Sequence, residues 1–183
     1  RVPILHIHGT QDSCAKYQGG MCGGCFEKFT GEVLNIQVNP TLWACSSVPD
    51  SIAGWQKNNA CSSSQTKYFT SNNASCVSFT GCPNRASVEF CIDEDLGHNW
   101  AGGKETLAAC ESAPSGKICQ AWNSSVGPMS DSLNATDLIW EFFKQHTLSD
   151  GTSCVDRDMI FQKLSIKSEF NLMQKTEKRL VSI

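Results

Sequence analysis

The chain has 183 residues, enough for one domain with a sizeable core, and carries a net charge of −3 with both signs scattered. That balance leaves no electrostatic footprint for nucleic acid or an acidic membrane surface. No apolar run approaches the roughly 18 residues a membrane span requires, so neither kind of partner is expected.

In chain order, residues 3–8 read as a short buried strand, Ile4-Leu5-His6-Ile7, closed by Gly9. Residues 13–31 are rich in Gly and Cys without a period and are expected to be loop. Residues 32–39 alternate, with Leu34, Ile36 and Val38 on one side, the pattern of an exposed strand. A helix is expected from Ser47 to the Asn58-Asn59 pair. Pro49 suits its first turn, Asp50 its N-terminus, and Val48, Ile52 and Trp55 share one face. Residues 60–85 are polar and Cys-punctuated, with short strands expected around Tyr68 and Val77. The stretch "ASVEFCID" places Val88, Phe90 and Ile92 on one face of a strand that runs into the Gly-rich loop "LGHNWAGG". Residues 101–132 are weakly patterned and read as coil with one helical turn. Asn134 then looks like an N-cap, with Asp137 three residues on. Ala135, Leu138, Ile139, Phe142, Phe143 and His146 form a helical stripe after it. Residues 149–183 are polar, charge-mixed and free of Gly after Gly151, the character of an extension outside the main fold.

Eleven cysteines occur, none in paired C-x2-C blocks at zinc spacing. The chain also holds three N-glycosylation acceptors: Asn73-Ala-Ser, Asn123-Ser-Ser and Asn134-Ala-Thr. Together these favour a secreted, disulfide-bonded glycoprotein. The odd cysteine count leaves one thiol over, and Cys154 in the extension is the candidate. The chain begins at Arg1, with neither initiator Met nor signal peptide, so a processed N-terminus or a fragment is expected.

Two residues stand where chemistry is placed in open α/β sheets, just past the C-terminal ends of strands. Asp12 follows the first strand through a Gly-turn; an aspartate there also has a plain role as a turn former. His98 follows the "ASVEFCID" strand, between Gly97 and an aromatic region, and an imidazole in such a loop suits a general base. A structural histidine is the plain alternative. The order strand–Asp, helix, strand–His, closing amphipathic helix is that of the last elements of an α/β-hydrolase, whose triad runs Ser, Asp, His along the chain.

The blocks "VPILHIHGTQD", "SVPDSIAGWQKNNAC", "GCPNRASVEFCIDEDLGHNWAGG" and "ATDLIWEFFKQH" resemble, in this order, the C-terminal half of secreted polyhydroxybutyrate depolymerase and feruloyl esterase-like carboxylic ester hydrolases. They cover about half the chain. The resemblance implies the C-terminal portion of an α/β-hydrolase sheet with flanking helices, incomplete and disulfide-bonded. It spans residues 1–148 with an insertion at about 20–45, and 149–183 has no counterpart. It implies Asp12 as triad acid, His98 as triad base, Trp100 and Gly102 as the aromatic and glycine of the following loop, and a disulfide between Cys61 and Cys82. Cys76 and Cys91 are left open, to pair with each other or elsewhere. Where the family usually has Pro, this chain has Ala101, and where it often has Gly, this chain has Leu96. The implied activity is serine ester hydrolysis without a cofactor. The substrate class is feruloyl or acetyl esters on polysaccharides, or polyhydroxyalkanoate.

No G-x-S-x-G occurs in the chain. The near-match Gly20-Met21-Cys22-Gly23-Gly24 follows Asp12 instead of preceding it, has no strand leading into it, and lies beside Cys14 and Cys25, which points to disulfide duty. The expectation is therefore that the nucleophile lies upstream of Arg1 and that this chain alone is inactive. The alternative is a non-catalytic hydrolase-like fragment or binding protein. His6-x-His8 places two imidazoles on one strand face, as in metal-dependent hydrolases. Such sites need further ligands, and only His98 and His146 remain. One core histidine and one ordering the turn beneath Asp12 is the plainer account, and no metal is expected. Cys22-x-x-Cys25 as a redox pair is rejected for want of a helix start that would activate it.

Overall fold

The computed structural model describes residues 1–104 and 107–146. By internal contacts the chain forms two units, Arg1–Ile139 and Trp140–Ile183. The expected extension, with Cys154, lies outside the described residues.

The first unit is built on a mixed four-stranded sheet. Strand β1 is Ile4–Gly9, and β2 (Gly20–Gly23) and β3 (Leu42–Cys45) form a separate two-stranded ribbon. The other members of the main sheet are β4 (Gln65–Ser71), β5 (Ala74–Phe79) and β6 (Val88–Asp93), in the spatial order β1-β6-β5-β4. β1 runs parallel to β6, from Ile4 opposite Val88 to Gly9 opposite Asp93, while β5 runs antiparallel to both of its neighbours, β6 and β4. The β4–β5 turn is two residues long, and Asn72 takes the left-handed conformation it needs (φ 42°), which asparagine tolerates better than most residues. The parallel pairing sends the loops after β1 and β6 out of the same end of the sheet.

Alternation along β1 and β6 gives the sheet two apolar faces. On one, Val88 and Phe90 pack with Val48 and Ile52 of helix α2 (Val48–Asn59). Helix α2 begins as expected: Ser47 Oγ accepts the Asp50 N–H at 3.1 Å, and Pro49 occupies the first turn. Trp55, expected on the buried stripe, is 38% exposed; the helix is anchored by Val48 and Ile52 and, at its end, by the buried Asn59, whose amide donates to Val2 O at 2.7 Å. On the other face, Leu5, Ile7, Cys76 and Cys91 meet Leu138 and Ile139 of helix α5 (Ala135–Gln145). Asn134 caps α5, its Oδ1 accepting the Asp137 N–H at 3.1 Å. Within the second unit the Phe142 ring packs at a tilt against Phe143 and His146, and Phe143 is half exposed, so the expected stripe is buried over only part of its width.

Three expectations are corrected. Residues 13–31 are not all loop: β2 (Gly20–Gly23) and helix α1 (Cys25–Leu34) lie there. Residues 32–39 are not a strand. The helix runs to Leu34 and ends at Asn35 in the left-handed region, and Leu34, Ile36 and Val38 face solvent. The strand comes later, at β3 (Leu42–Cys45), which pairs antiparallel with β2. Alternation there lacked any partner surface to bury it. Residues 101–132 hold α3 (Ala108–Ser112) and the ten-residue α4 (Lys117–Val126), more than the single turn expected. Helices α1 and α4 pack together through Phe29 and Trp122, whose rings meet edge-on at 5.1 Å. That contact, with the Cys14–Cys25 and Cys110–Cys119 disulfides, supports both.

Five disulfides cross-link the described residues: Cys14–Cys25, Cys22–Cys45, Cys61–Cys82, Cys76–Cys91 and Cys110–Cys119. Cys61–Cys82 is the pair implied by the resemblance. Such density is consistent with an extracellular protein. No helix among the described residues is long and apolar enough to cross a membrane.

Candidate active site

Asp12 and His98, 86 positions apart, meet at the C-terminal ends of β1 and β6, with His98 Nδ1 2.9 Å from Asp12 Oδ2. Asp12 is buried and its side chain is 7% exposed, against 42% for the imidazole. The other carboxylate oxygen, Oδ1, accepts two backbone N–H groups, from Cys14 at 2.8 Å and Ala15 at 2.7 Å. An Asx-type turn thus grips one oxygen and leaves the second for the imidazole. Since Oδ2 can only accept, His98 carries its proton on Nδ1 toward the acid when neutral.

The charge states follow. Burial works to raise the Asp12 pKa, but the hydrogen bonds from His98, Ala15 and Cys14, with the His98 charge, outweigh it and hold the carboxyl below its usual range. The hydrogen bond to Asp12 lifts His98 above the ordinary imidazole value, with burial opposing. The pair is an ionised acid holding a basic imidazole.

Close backbone approaches fix both loops. A Cβ on Gly9 would sit 2.0 Å from Leu96 O, and the Gln11 N–H donates to that same carbonyl at 3.0 Å. The His98 loop is tied to the residues after α4, with Gly97 N–H donating to Pro128 O at 2.7 Å and His98 N–H to Val126 O at 2.6 Å. Gly127 (φ +89°) passes between the loops: a Cβ there would meet Gln11 O at 2.5 Å and Gly97 Cα at 2.7 Å. Ser13 Oγ donates to Ser125 O, tying the Asp12 loop to α4 as well. The α4 end is therefore part of the site, and sequence reasoning missed it; the Gly127-Pro128 pair behind "SSV" was the available sign.

A cleft of about 500 Å³ opens beside the pair, lined by Asp12, His98 and Trp100 with an apolar floor that includes Ile7, Leu96 and Ile139. Leu96, the departure from the family's glycine, is buried and contributes to that floor. Ala101, the departure from proline, is buried, and its carbonyl accepts the Ala135 N–H at 3.0 Å. Trp100 is 56% exposed, and its indole N–H donates to Thr136 Oγ1 at 3.1 Å. Gly102 is left-handed (φ +69°), and a Cβ there would meet Leu133 O at 2.7 Å, so glycine is required. Phe26 of α1, half exposed, stands edge-on to His98 with ring centres 6.1 Å apart, an aromatic neighbour the sequence did not announce. It brings the segment 20–45 to the side of the imidazole.

Cys22 is fully buried and bonded to Cys45, which removes it as a nucleophile. Asp12, Cys14 and His98 present potential ligand atoms within 4.8 Å of one another. Cys14 is bonded to Cys25 and offers no thiolate, and the other two atoms are engaged with each other, so the cluster suits proton handling better than a metal. Of the glycosylation acceptors, Asn73 and Asn134 are exposed, whereas Asn123 is half-buried in α4 with its amide toward Cys119 Sγ. Comparison with protein-family models, with curated proteins and with solved structures finds no match to this chain.

Proposed function

We propose that the chain carries the acid and base of a serine carboxylic ester hydrolase of the α/β-hydrolase fold, secreted and acting on polysaccharide-linked feruloyl or acetyl esters or on polyhydroxyalkanoate. One observation carries the reading: the 2.9 Å bond from His98 Nδ1 to a buried carboxylate, at the ends of adjacent parallel strands and beside an apolar cleft. In this reading a serine, supplied by a G-x-S-x-G segment that is not among these residues, attacks the ester carbonyl as His98 Nε2 takes its proton. Asp12 Oδ2 keeps the other imidazole proton on Nδ1 and stabilises the imidazolium. Nε2 then returns the proton to the leaving alkoxide, and water repeats the cycle on the acyl-enzyme. The apolar floor accommodates the acyl or alcohol portion.

The test is hydrolysis of a short-chain p-nitrophenyl ester by the full-length gene product. Replacing His98 by Ala is expected to lower kcat by roughly 10⁴–10⁶. Wild-type turnover in that variant, or a full-length protein without esterase activity, overturns the reading.

A further inference from the structure

Two more imidazoles lie beneath the acid. His6 and His8 stack on the α2 side of β1, ring centres 5.4 Å apart and 12° from parallel. His8 Nε2 is 2.8 Å from Ala15 O, and its Nδ1 is 3.3 Å from His6 Nε2. A carbonyl can only accept, so His8 bears its proton on Nε2. Its Nδ1 is then bare when the ring is neutral and accepts from His6 Nε2–H. Burial, and next the neighbouring His8, hold the His6 pKa below the ordinary imidazole value, which keeps that ring neutral. Ala15 is the residue whose N–H grips Asp12 Oδ1, so the His8 bond fixes the far side of the same peptide turn. His8 Nε2 also lies 3.7 Å from Asp12 Oδ2, too far for a good hydrogen bond, which leaves that oxygen to His98. The Tyr17 ring closes the other side of His8, at 6.1 Å.

We propose that His8 is a positioning residue: its Nε2–H holds the Asp12–Ala15 turn through Ala15 O, that carbonyl sets its tautomer, His6 satisfies the bare Nδ1, and so the carboxylate is aimed at His98. This rests on the acid–base reading above, but it makes a claim about protonation that can be measured without any ester. The directed chain is His6 Nε2–H to His8 Nδ1, then His8 Nε2–H to Ala15 O, then Ala15 N–H to Asp12 Oδ1, with Oδ2 receiving His98 Nδ1–H. Every donor has one acceptor, and the geometry admits one neutral arrangement of protons. A leucine at position 8 would leave Ala15 O unbonded and let the turn relax. A glutamine carries an amide N–H at nearly the reach of Nε2 and would preserve the bond.

The experiment is heteronuclear NMR of the imidazole nitrogens across a pH titration of the wild-type protein, His8→Leu and His8→Gln. In the wild type, His8 is expected to be protonated on Nε2 and bare on Nδ1, and His98 to titrate above 6.5. In His8→Leu the His98 midpoint is expected to fall back toward the ordinary imidazole value, and in His8→Gln to stay near the wild-type value. A His98 midpoint unmoved in His8→Leu, or moved equally in both variants, overturns the proposal. Should His8→Leu fail to fold, the wild-type tautomer decides alone: His8 with a bare Nε2 overturns it, and Nε2–H with a bare Nδ1 supports it. A wild-type His98 at or below 6.5 sinks the acid–base pairing instead, and the His8 tautomer then decides the positioning role separately by the same rule.

Discussion

Replacing Asp12 by Asn tests the site more sharply than removing the side chain, because the structure dictates how the amide must sit. The Cys14 and Ala15 N–H groups both donate to Oδ1, at 2.8 and 2.7 Å. The asparagine oxygen must keep those bonds, since reversing the amide would face an NH2 against two N–H donors in a site whose side chain is 7% exposed. The NH2 is therefore turned toward His98 Nδ1, which must become an acceptor, and the imidazole proton moves to Nε2. That nitrogen can no longer take a proton from a nucleophile. In the proposed ester hydrolysis, a wrong tautomer of this kind would cost about 10⁴ in kcat, or about 5.5 kcal/mol of transition-state stabilisation. The turn keeps both backbone bonds and the contact with His98, but none of the three is any longer made to a charged group, so folding stability should fall by about 1.5–3 kcal/mol. Imidazole nitrogen NMR reads the tautomer directly, and urea unfolding reads the stability. An Asp12→Asn variant whose His98 stays protonated on Nδ1 at neutral pH, or whose titration is unchanged, would refute the argument.

Two other outcomes are expected. The acid–base pair should shape stability with pH. Asp12, held low, contributes above pH 3.8 and loses its contribution as pH falls through its lowered value; His98, held high, contributes fully below pH 6.5 and loses it as pH rises through its raised value. Urea midpoints should therefore be highest between those limits, with Asp12→Asn flattening the profile, and the acid limb of kcat/KM should lie above pH 6.5. Gly127→Ala should cost about 1–3 kcal/mol from its φ of +89° alone, and more from the 2.5 Å approach of its Cβ to Gln11 O. Because the loop it pushes carries His98, a displacement of about 1 Å would lower kcat about 10²-fold; a variant with unchanged thermal midpoint and unchanged His98 titration would show that the crossing is not under constraint.

The parts of this fold that were legible in the sequence are those whose stability is local. Ser47 and Pro49 mark the start of α2, Asn134 and Asp137 the start of α5, and alternation marks β6, because caps and face periodicity act within a few residues. What was not legible is held from a distance. Helix α1 has Gly31 inside it and follows a left-handed Gly24 that offers no side-chain cap. It stands because Cys25 is bonded to Cys14 and Phe29 meets Trp122. Helix α4 likewise lacks a side-chain cap at Gly116 and is tethered through Cys110–Cys119. The alternation of Leu34, Ile36 and Val38 misled for the converse reason: a period-two pattern describes a strand only where a neighbouring strand and a core exist to use it.

The same division runs through the site. Asp12 and His98 could be singled out because strand ends in a parallel sheet are places a pattern can find. Their pairing came only from the resemblance, since no local pattern encodes it: it depends on β1 and β6 being neighbours in parallel register and on three loops crossing where only glycine fits. Gly9, Gly97 and Gly127 read in the sequence as ordinary loop residues. In space they remove the side chains that would otherwise hold the Asp12 loop, the His98 loop and the end of α4 apart. The imidazole's proton is thus governed by residues that never touch it: the glycines set the distance, and the Cys14 and Ala15 amides choose which carboxylate oxygen remains free. A substitution that spares Asp12 and His98 but thickens one of those crossings should therefore disturb the His98 titration before it unfolds the sheet.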